Sequence, residues 1–220
     1  MTEHTLDLNG LLGARLCHDL ISPVGAIRNG LELLEYSANM NGPELNLIRE
    51  SASSADAKLR YFRVAFGRDA FEQVMNAIDI RDIVTSYAHG TSFEIDWKIS
   101  EILPKPIVKT LMLCLLCLET VVQRSGRVVV ARNAGDISLT AYPKRTLTQL
   151  HLAEALRTHS WPTDLTASQV RFPLAAQAMR TCNLEPSISF ESTKFTLFLR
   201  SLDHEKEITP ESHRHQLQDT

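Results

Sequence analysis

The sequence predicts an α+β protein built in two parts, a helical hairpin over residues 1–75 and a layered α+β domain over residues 76–202. Three observations carry that prediction. Up to Gly67 the chain holds two long stretches whose apolar residues recur at helical spacing, with one short turn between them. Beyond Gly67, short alternating runs are interleaved with helix-like runs in the order β-α-β-β-α-α-β-β, the signature of helices layered on one face of a largely antiparallel sheet. Finally, a lone hairpin has one apolar face and nothing to cover it. Pairing with a second copy into a dimeric four-helix bundle covers that face most simply.

The first helix is expected from residue 6 to about residue 37. On a wheel of about 3.6 residues per turn, Leu12, Leu16, Leu20, Val24, Ile27, Leu31 and Leu34 form one stripe. Arg15, His18, Ser22, Gly25 and Asn29 gather on the opposite side. Asn39-Met-Asn-Gly-Pro43 reads as a compact turn, with Pro43 suited to the first turn of the next helix. In that second helix Leu45, Ile48, Ala52, Ala55, Leu59, Phe62 and Phe66 recur at alternating spacings of three and four, a heptad seam. Counting outward from the turn sets His18 level with Arg63, so Tyr61, Phe62 and Arg63 are expected to flank the histidine, from the same hairpin or across the dimer. Arg63 then either helps hold charge at His18 or is an outward arginine whose stem covers the bundle.

After Gly67 a short helical connector, Phe71 to Ala77, leads to a helix over Ile80 to Tyr87 and a strand over Phe93 to Ile99. Pro104 and Pro106 open a very apolar helix that ends near Arg124. Arg127 to Arg132 and Ile137 to Tyr142 alternate as strands around the hairpin signal Asn133-Ala-Gly-Asp136. Helix-like pieces follow at Thr148 to Thr158 and Ala167 to Cys182, then a closing hairpin of Ser187 to Phe190 and Phe195 to Leu199. Residues 203–220 are polar and without aromatics, and a disordered tail is expected there rather than the metal site that His213 and His215, with His204, would also allow.

Composition bounds the function. The chain has 220 residues, 44% of them hydrophobic, a formal charge of −3 and a pI near 6.2, which argues against a nucleic-acid binder. Its four cysteines, Cys17, Cys114, Cys117 and Cys182, are scattered in apolar surroundings as reduced core cysteines are. Cys114 and Cys117 form a CxxC inside a buried-helix pattern, and no second CxxC or CxxH completes a zinc set. The N-terminus lacks a signal-peptide pattern, and no window approaches the roughly 18 apolar residues of a membrane span. A soluble cytoplasmic protein with no membrane or nucleic-acid partner is expected.

One segment stands out: Cys17-His18-Asp19-Leu20-Ile21-Ser22-Pro23. The wheel points His18 away from the apolar stripe, among small and polar neighbours that leave room for a visitor. An exposed imidazole beside a carboxylate, with no metal partner near it in sequence, suits carrying a phosphoryl group. The alternative is a surface histidine with no task.

A hairpin bearing an exposed His-Asp-Leu-x-x-Pro, followed by an α+β domain, resembles the histidine kinase core, with its phosphotransfer hairpin and ATP-binding domain. It resembles more closely the ChpT-type histidine phosphotransferases of alphaproteobacteria. The closer resemblance rests on Leu16-Cys-His-Asp-Leu-Ile-Ser-Pro-Val-Gly-Ala-Ile27, Asn29-Gly-Leu-Glu-Leu-Leu34 and Phe62-Arg-Val-Ala-Phe-Gly67. It covers the whole chain in layout and residues 11–67 in specific motif. It implies a homodimeric phosphorelay intermediate that takes phosphoryl from the receiver domain of a hybrid histidine kinase and gives it to response-regulator receivers. On that reading His18 is the phosphoacceptor, and Asp19 orients the ring or accepts its proton. Ser22 hydrogen-bonds phosphate, Pro23 loosens the helix, and Arg15, Asn29 and Arg63 contact the receiver.

The residues of the second domain separate the two relatives. A kinase needs an asparagine-bearing helix for Mg²⁺ and triphosphate, and glycine-rich loops whose backbone approaches phosphates. The helix from Ile107 to Gln123 has no asparagine, and after Gly67 only Gly90, Gly126 and Gly135 occur. The domain is therefore expected to keep the plan of a histidine-kinase ATP-binding domain without its nucleotide site. ATP is not bound, the protein has no cofactor of its own, and Mg²⁺ belongs to the partner receiver. Two rivals remain: an ATP-dependent sensor histidine kinase core, and a non-catalytic dimeric adaptor that docks receivers.

Overall fold

The computed structural model describes residues 7–36, 42–68, 71–133, 135–191 and 193–202. The expected turn at Asn39 to Asn41 and the tail from Asp203, with its three histidines, lie outside them. Helix α1 (Leu8–Tyr36) runs unbroken through Pro23, and α2 (Pro43–Ala65) packs along it, with Pro43 in its first turn. Their register is set at Gly30, which is buried. A Cβ there would come within 2.6 Å of Ile48 Cγ1, so the glycine lets α2 approach closely.

The connector departs from the expected helix. Residues 71–72 make a turn, and β1 (Val74–Met75) pairs antiparallel with β3 (Leu103–Pro104). Asn76 explains why no helix runs through. Its backbone is extended, and its Oδ1 accepts the Asp79 amide at 2.8 Å while its Nδ2 donates to Asp79 Oδ2, so α3 (Ala77–Ala88) begins there. Next comes β2 (Ser92–Trp97), then α4 (Lys105–Val121), β4 (Ser125–Asn133) and β5 (Asp136–Pro143). Helices α5 (Leu150–Thr158) and α6 (Arg171–Thr181) and strands β6 (Leu184–Glu191) and β7 (Lys194–Ser201) complete the chain.

The five-stranded sheet has the order β2-β4-β5-β7-β6, antiparallel except for the β2–β4 pair. Its inner face is apolar across every strand, as in the row Val130, Leu139 and Leu197. Gly126 has φ +134°, and a Cβ there would lie 2.4 Å from the Tyr142 carbonyl oxygen, so no side chain fits where β4 starts beside β5. Helix α4 lies against the sheet and is covered on its other side by α2 and α6. Every residue from Thr110 to Glu119 is buried. At about 1.5–3 kcal/mol for each large apolar side chain removed from water, this helix is the thermodynamic centre of the molecule.

That covering takes up one residue of the expected seam on α2: Phe62 is buried against the second domain, with Tyr61, Val64 and Ala65 beside it, whereas Leu59 of the same seam is exposed. Tyr61 donates to the Met112 carbonyl at 2.8 Å and stacks on Tyr87, ring centroids 4.2 Å apart. The cysteines also divide. Cys114 and Cys117 are buried in α4 and burial pushes both thiols upward, but Cys17 is exposed. Among the described residues no helix is long and apolar enough to cross a membrane, and no group of three His, Cys, Asp or Glu is placed to hold a metal.

Candidate functional site

His18 stands in the first half of α1 with its side chain 79% exposed. Asp19, the next residue, is only 11% exposed and turns back along the helix. Its Oδ1 lies 3.4 Å from His18 Nδ1, and its Oδ2 lies 2.8 Å from Arg15 Nε. The four-residue spacing puts Arg15 one turn before Asp19 on the same face. The contact is an ion pair without the alignment of a hydrogen bond. Burial, and next the neighbouring Arg171, pull the Arg15 pKa down, while Asp19 pulls it up. Arg15 therefore sits at the boundary with the second domain and is largely covered, where the wheel expected it on the open face.

On the far side of His18, Ser22 is exposed and Pro23 is buried. Asn29 is exposed too, but eleven residues along a helix is about 16 Å, so the structure does not bring it to His18. Nor does α2 meet this turn where counting from the loop had placed it. The residue that reaches across is Lys58, five positions before Arg63, and its Nζ donates to the Asp19 carbonyl at 3.2 Å. Tyr61 and Phe62 face the second domain, and Arg63 is exposed with no hydrogen bond or ion pair to His18 among the described residues. The register set by Gly30 and Ile48 accounts for the difference.

Behind the histidine turn lies a cleft of about 780 Å³ between hairpin and second domain. Ser22, Pro23 and Ala26 line it from α1, Ser54 and Lys58 from α2, and Thr85, Ser86 and Tyr87 from α3. Glu119 and Arg124 reach it from the end of α4. Glu119 is buried with three partners: Tyr87 donates to its Oε2 at 3.0 Å, Arg124 Nε to its Oε1 at 3.2 Å, and Arg171 Nη1 lies 3.4 Å from Oε2. Arg171 also donates to the Leu116 carbonyl at 2.7 Å. A buried carboxylate needs such a set, since an unpaired one costs several kcal/mol. Burial, reinforced by Glu119, holds the Tyr87 hydroxyl well above its ordinary pKa, and Glu119 raises that of Arg124.

Sequence reasoning missed Lys58, Tyr87, Glu119, Arg124 and Arg171. One signal was available: a single glutamate inside the apolar run Leu111 to Val122 demands buried partners. Chemically, the site offers a ring nitrogen to solvent on one side and a shielded carboxylate to the ring's other nitrogen.

The family described as histidine phosphotransferase C-terminal domain matches residues 78–194 of this chain. Protein phosphotransferase ChpT of Brucella abortus (strain 2308) is 38% identical over 138 residues, which span 62% of this chain and 66% of that protein, a little under two thirds of its length. A bacterial phosphotransferase solved at 1.7 Å superposes with a TM-score of 0.74 and 29% identity, over 91% of this chain and 98% of that one. The matched family domain takes in most of the second domain and more than half of the sequence. The chain thus belongs to the histidine phosphotransferases.

Proposed function

We propose that the chain works as a homodimeric histidine phosphotransferase of a multistep phosphorelay, with His18 carrying the phosphoryl group between receiver-domain aspartates. The observation that carries this reading is the exposed imidazole of His18 backed by Asp19 at its Nδ1. With the ring proton on Nδ1, toward Asp19, the Nε2 lone pair faces outward. It attacks the phosphorus of a receiver's aspartyl phosphate. The N–P bond forms as the P–O bond to the aspartate breaks, and the carboxylate leaves with the electron pair. The ring then carries positive charge that Asp19 offsets through Nδ1–H. Attack by a second receiver's aspartate on the same phosphorus reverses the step.

This chemistry is positioning plus electrostatics, so the protein supplies no cofactor and Mg²⁺ arrives with the receiver. Receiver domains of a hybrid kinase and of response regulators are the partners, met in the cytoplasm. Arg63 and Asn29 are contacts for them, and Ser22, one turn from His18, is a hydrogen-bond donor to phosphate. Homodimerisation is supported by the apolar residues α1 leaves uncovered: Ile21, Val24 and Leu31, at 69%, 57% and 51% exposure, fall on one helical face. A second copy laid there makes the four-helix bundle. The second domain keeps the plan of a kinase ATPase domain without phosphate-cradling glycines, so ATP is not the donor.

Incubation with a receiver domain charged with radiolabelled phosphate tests the reading. The expected result is acid-labile label on the wild type, none on His18→Gln, and none on either from labelled ATP with Mg²⁺. Undiminished label on His18→Gln, or ATP-driven label on His18, contradicts it.

A further inference from the structure

A proline inside a helix leaves a specific debt in hydrogen bonding. Pro23 has no amide hydrogen, so the Asp19 carbonyl, four residues earlier, lacks the helical donor that a different residue at position 23 would supply. That carbonyl lies one residue beyond the phosphoacceptor, facing α2. The opened turn would be free to tilt, carrying His18 with it, unless another group holds the oxygen.

Lys58 holds it. Its Nζ donates to the Asp19 carbonyl at 3.2 Å, from a half-buried position on α2. A charged donor suits the place, since hydrogen bonds from ionised groups are roughly twice as strong as neutral ones. Asp19 is then fixed at both ends: its main chain by Lys58, and its carboxylate between Arg15 and the His18 ring.

We infer that Lys58 is a positioning residue for His18, its ammonium replacing the amide that Pro23 lacks and so fixing the turn from which the imidazole is presented. The inference rests on reading His18 as the phosphoacceptor. It distinguishes Lys58 from a cation that binds the phosphoryl group directly.

A double-mutant cycle separates the two roles. Pro23→Ala restores an amide at position 23, which makes the Lys58 bond redundant. The probe is potassium phosphoramidate, whose phosphorus is attacked by the imidazole as ammonia leaves, with no docked protein involved; label at His18 is followed by peptide mass spectrometry. Lys58→Met is expected to slow labelling roughly tenfold, the worth of one hydrogen bond from a charged group. Lys58→Arg, which keeps a charged donor, retains most of the rate. In the Pro23→Ala background, Lys58→Met has no further effect. Equal slowing in both backgrounds, or slowing in neither, overturns the inference.

Amide hydrogen exchange over residues 20–24 gives a readout independent of phosphorylation. Exchange should quicken in Lys58→Met and not in Lys58→Met/Pro23→Ala, and equal quickening in both overturns the inference too. Failure of the wild type to take label at all counts against His18 as acceptor, while the exchange comparison still decides the role of Lys58.

Discussion

Helices α1 and α4 are both rich in leucine, yet they end in opposite environments. Helix α4 is buried on every side from Thr110 to Glu119. Of the described side chains of α1, only Pro23 and Gly30 are buried, and neither is a large apolar residue. Helix α4 is wrapped by the sheet, α2 and α6 of its own chain. Helix α1 has α2 on one side and leaves Ile21, Val24 and Leu31 open. The difference teaches that the second domain finishes its own core, while the hairpin leaves apolar surface open. His18, the proposed phosphoacceptor, stands on the less finished helix.

The largest expected effect tests the finished side. Phe172, fully buried from α6, contributes to a core with little room to collapse. Phe172→Ala should cost about 3–5 kcal/mol in urea unfolding. A cost below about 1 kcal/mol would mean that this core relaxes as a surface does.

Next comes the unfinished side. Ile21→Glu places a charge on the open face of α1. Sedimentation at micromolar concentration should show the dimer lost, with the dissociation constant raised on the order of a hundredfold, as for an interface hot spot. The monomer's own unfolding should shift by less than about 0.5 kcal/mol, because the site is exposed within one chain. A dimer of unchanged strength would place the interface elsewhere and undo the contrast between the helices.

The boundary between the regions gives the smallest effect and a pH signature. Tyr87→Phe removes the hydrogen bond to Glu119 and should cost about 1 kcal/mol near neutral pH. Burial and Glu119 raise the Tyr87 pKa in the folded protein. The unfolded tyrosine ionises near pH 10, so the folded state's advantage is complete below that and shrinks as pH rises from there toward the folded value. Tyr61, whose pKa is raised for the same leading reason, adds to this. Denaturation measured from about pH 8 to 11 should show a shallower alkaline decline in Tyr87→Phe than in the wild type. Identical declines would remove Tyr87 from the account.

The same contrast explains what could be read in the sequence. Local pattern located α1 and α2 by helical periodicity, α4 by an apolar run opened by prolines, and the β4–β5 hairpin by a turn signal between alternating runs, because each is specified by its own residues. The segment Phe71 to Ala77 could not be read that way, since β1 exists only through pairing with β3 about thirty residues later. At the site, His18, Asp19 and Pro23 formed a contiguous motif and were legible. Lys58 was not. Its place depends on how α2 slides along α1, which Gly30 and Ile48 settle by contact. The heptad seam on α2 was legible as apolar, but which neighbour covers Tyr61 and Phe62 is a tertiary fact.

A two-receiver relay without ATP tests the central claim most directly. One receiver, charged with labelled phosphate, is mixed with this protein and with a second, uncharged receiver, and samples are mapped over time. Label should leave the first aspartate, appear as acid-labile phosphate on His18, and then accumulate on the second. The His18→Gln protein should pass none. Label reaching the second receiver at an undiminished rate through His18→Gln would contradict the account.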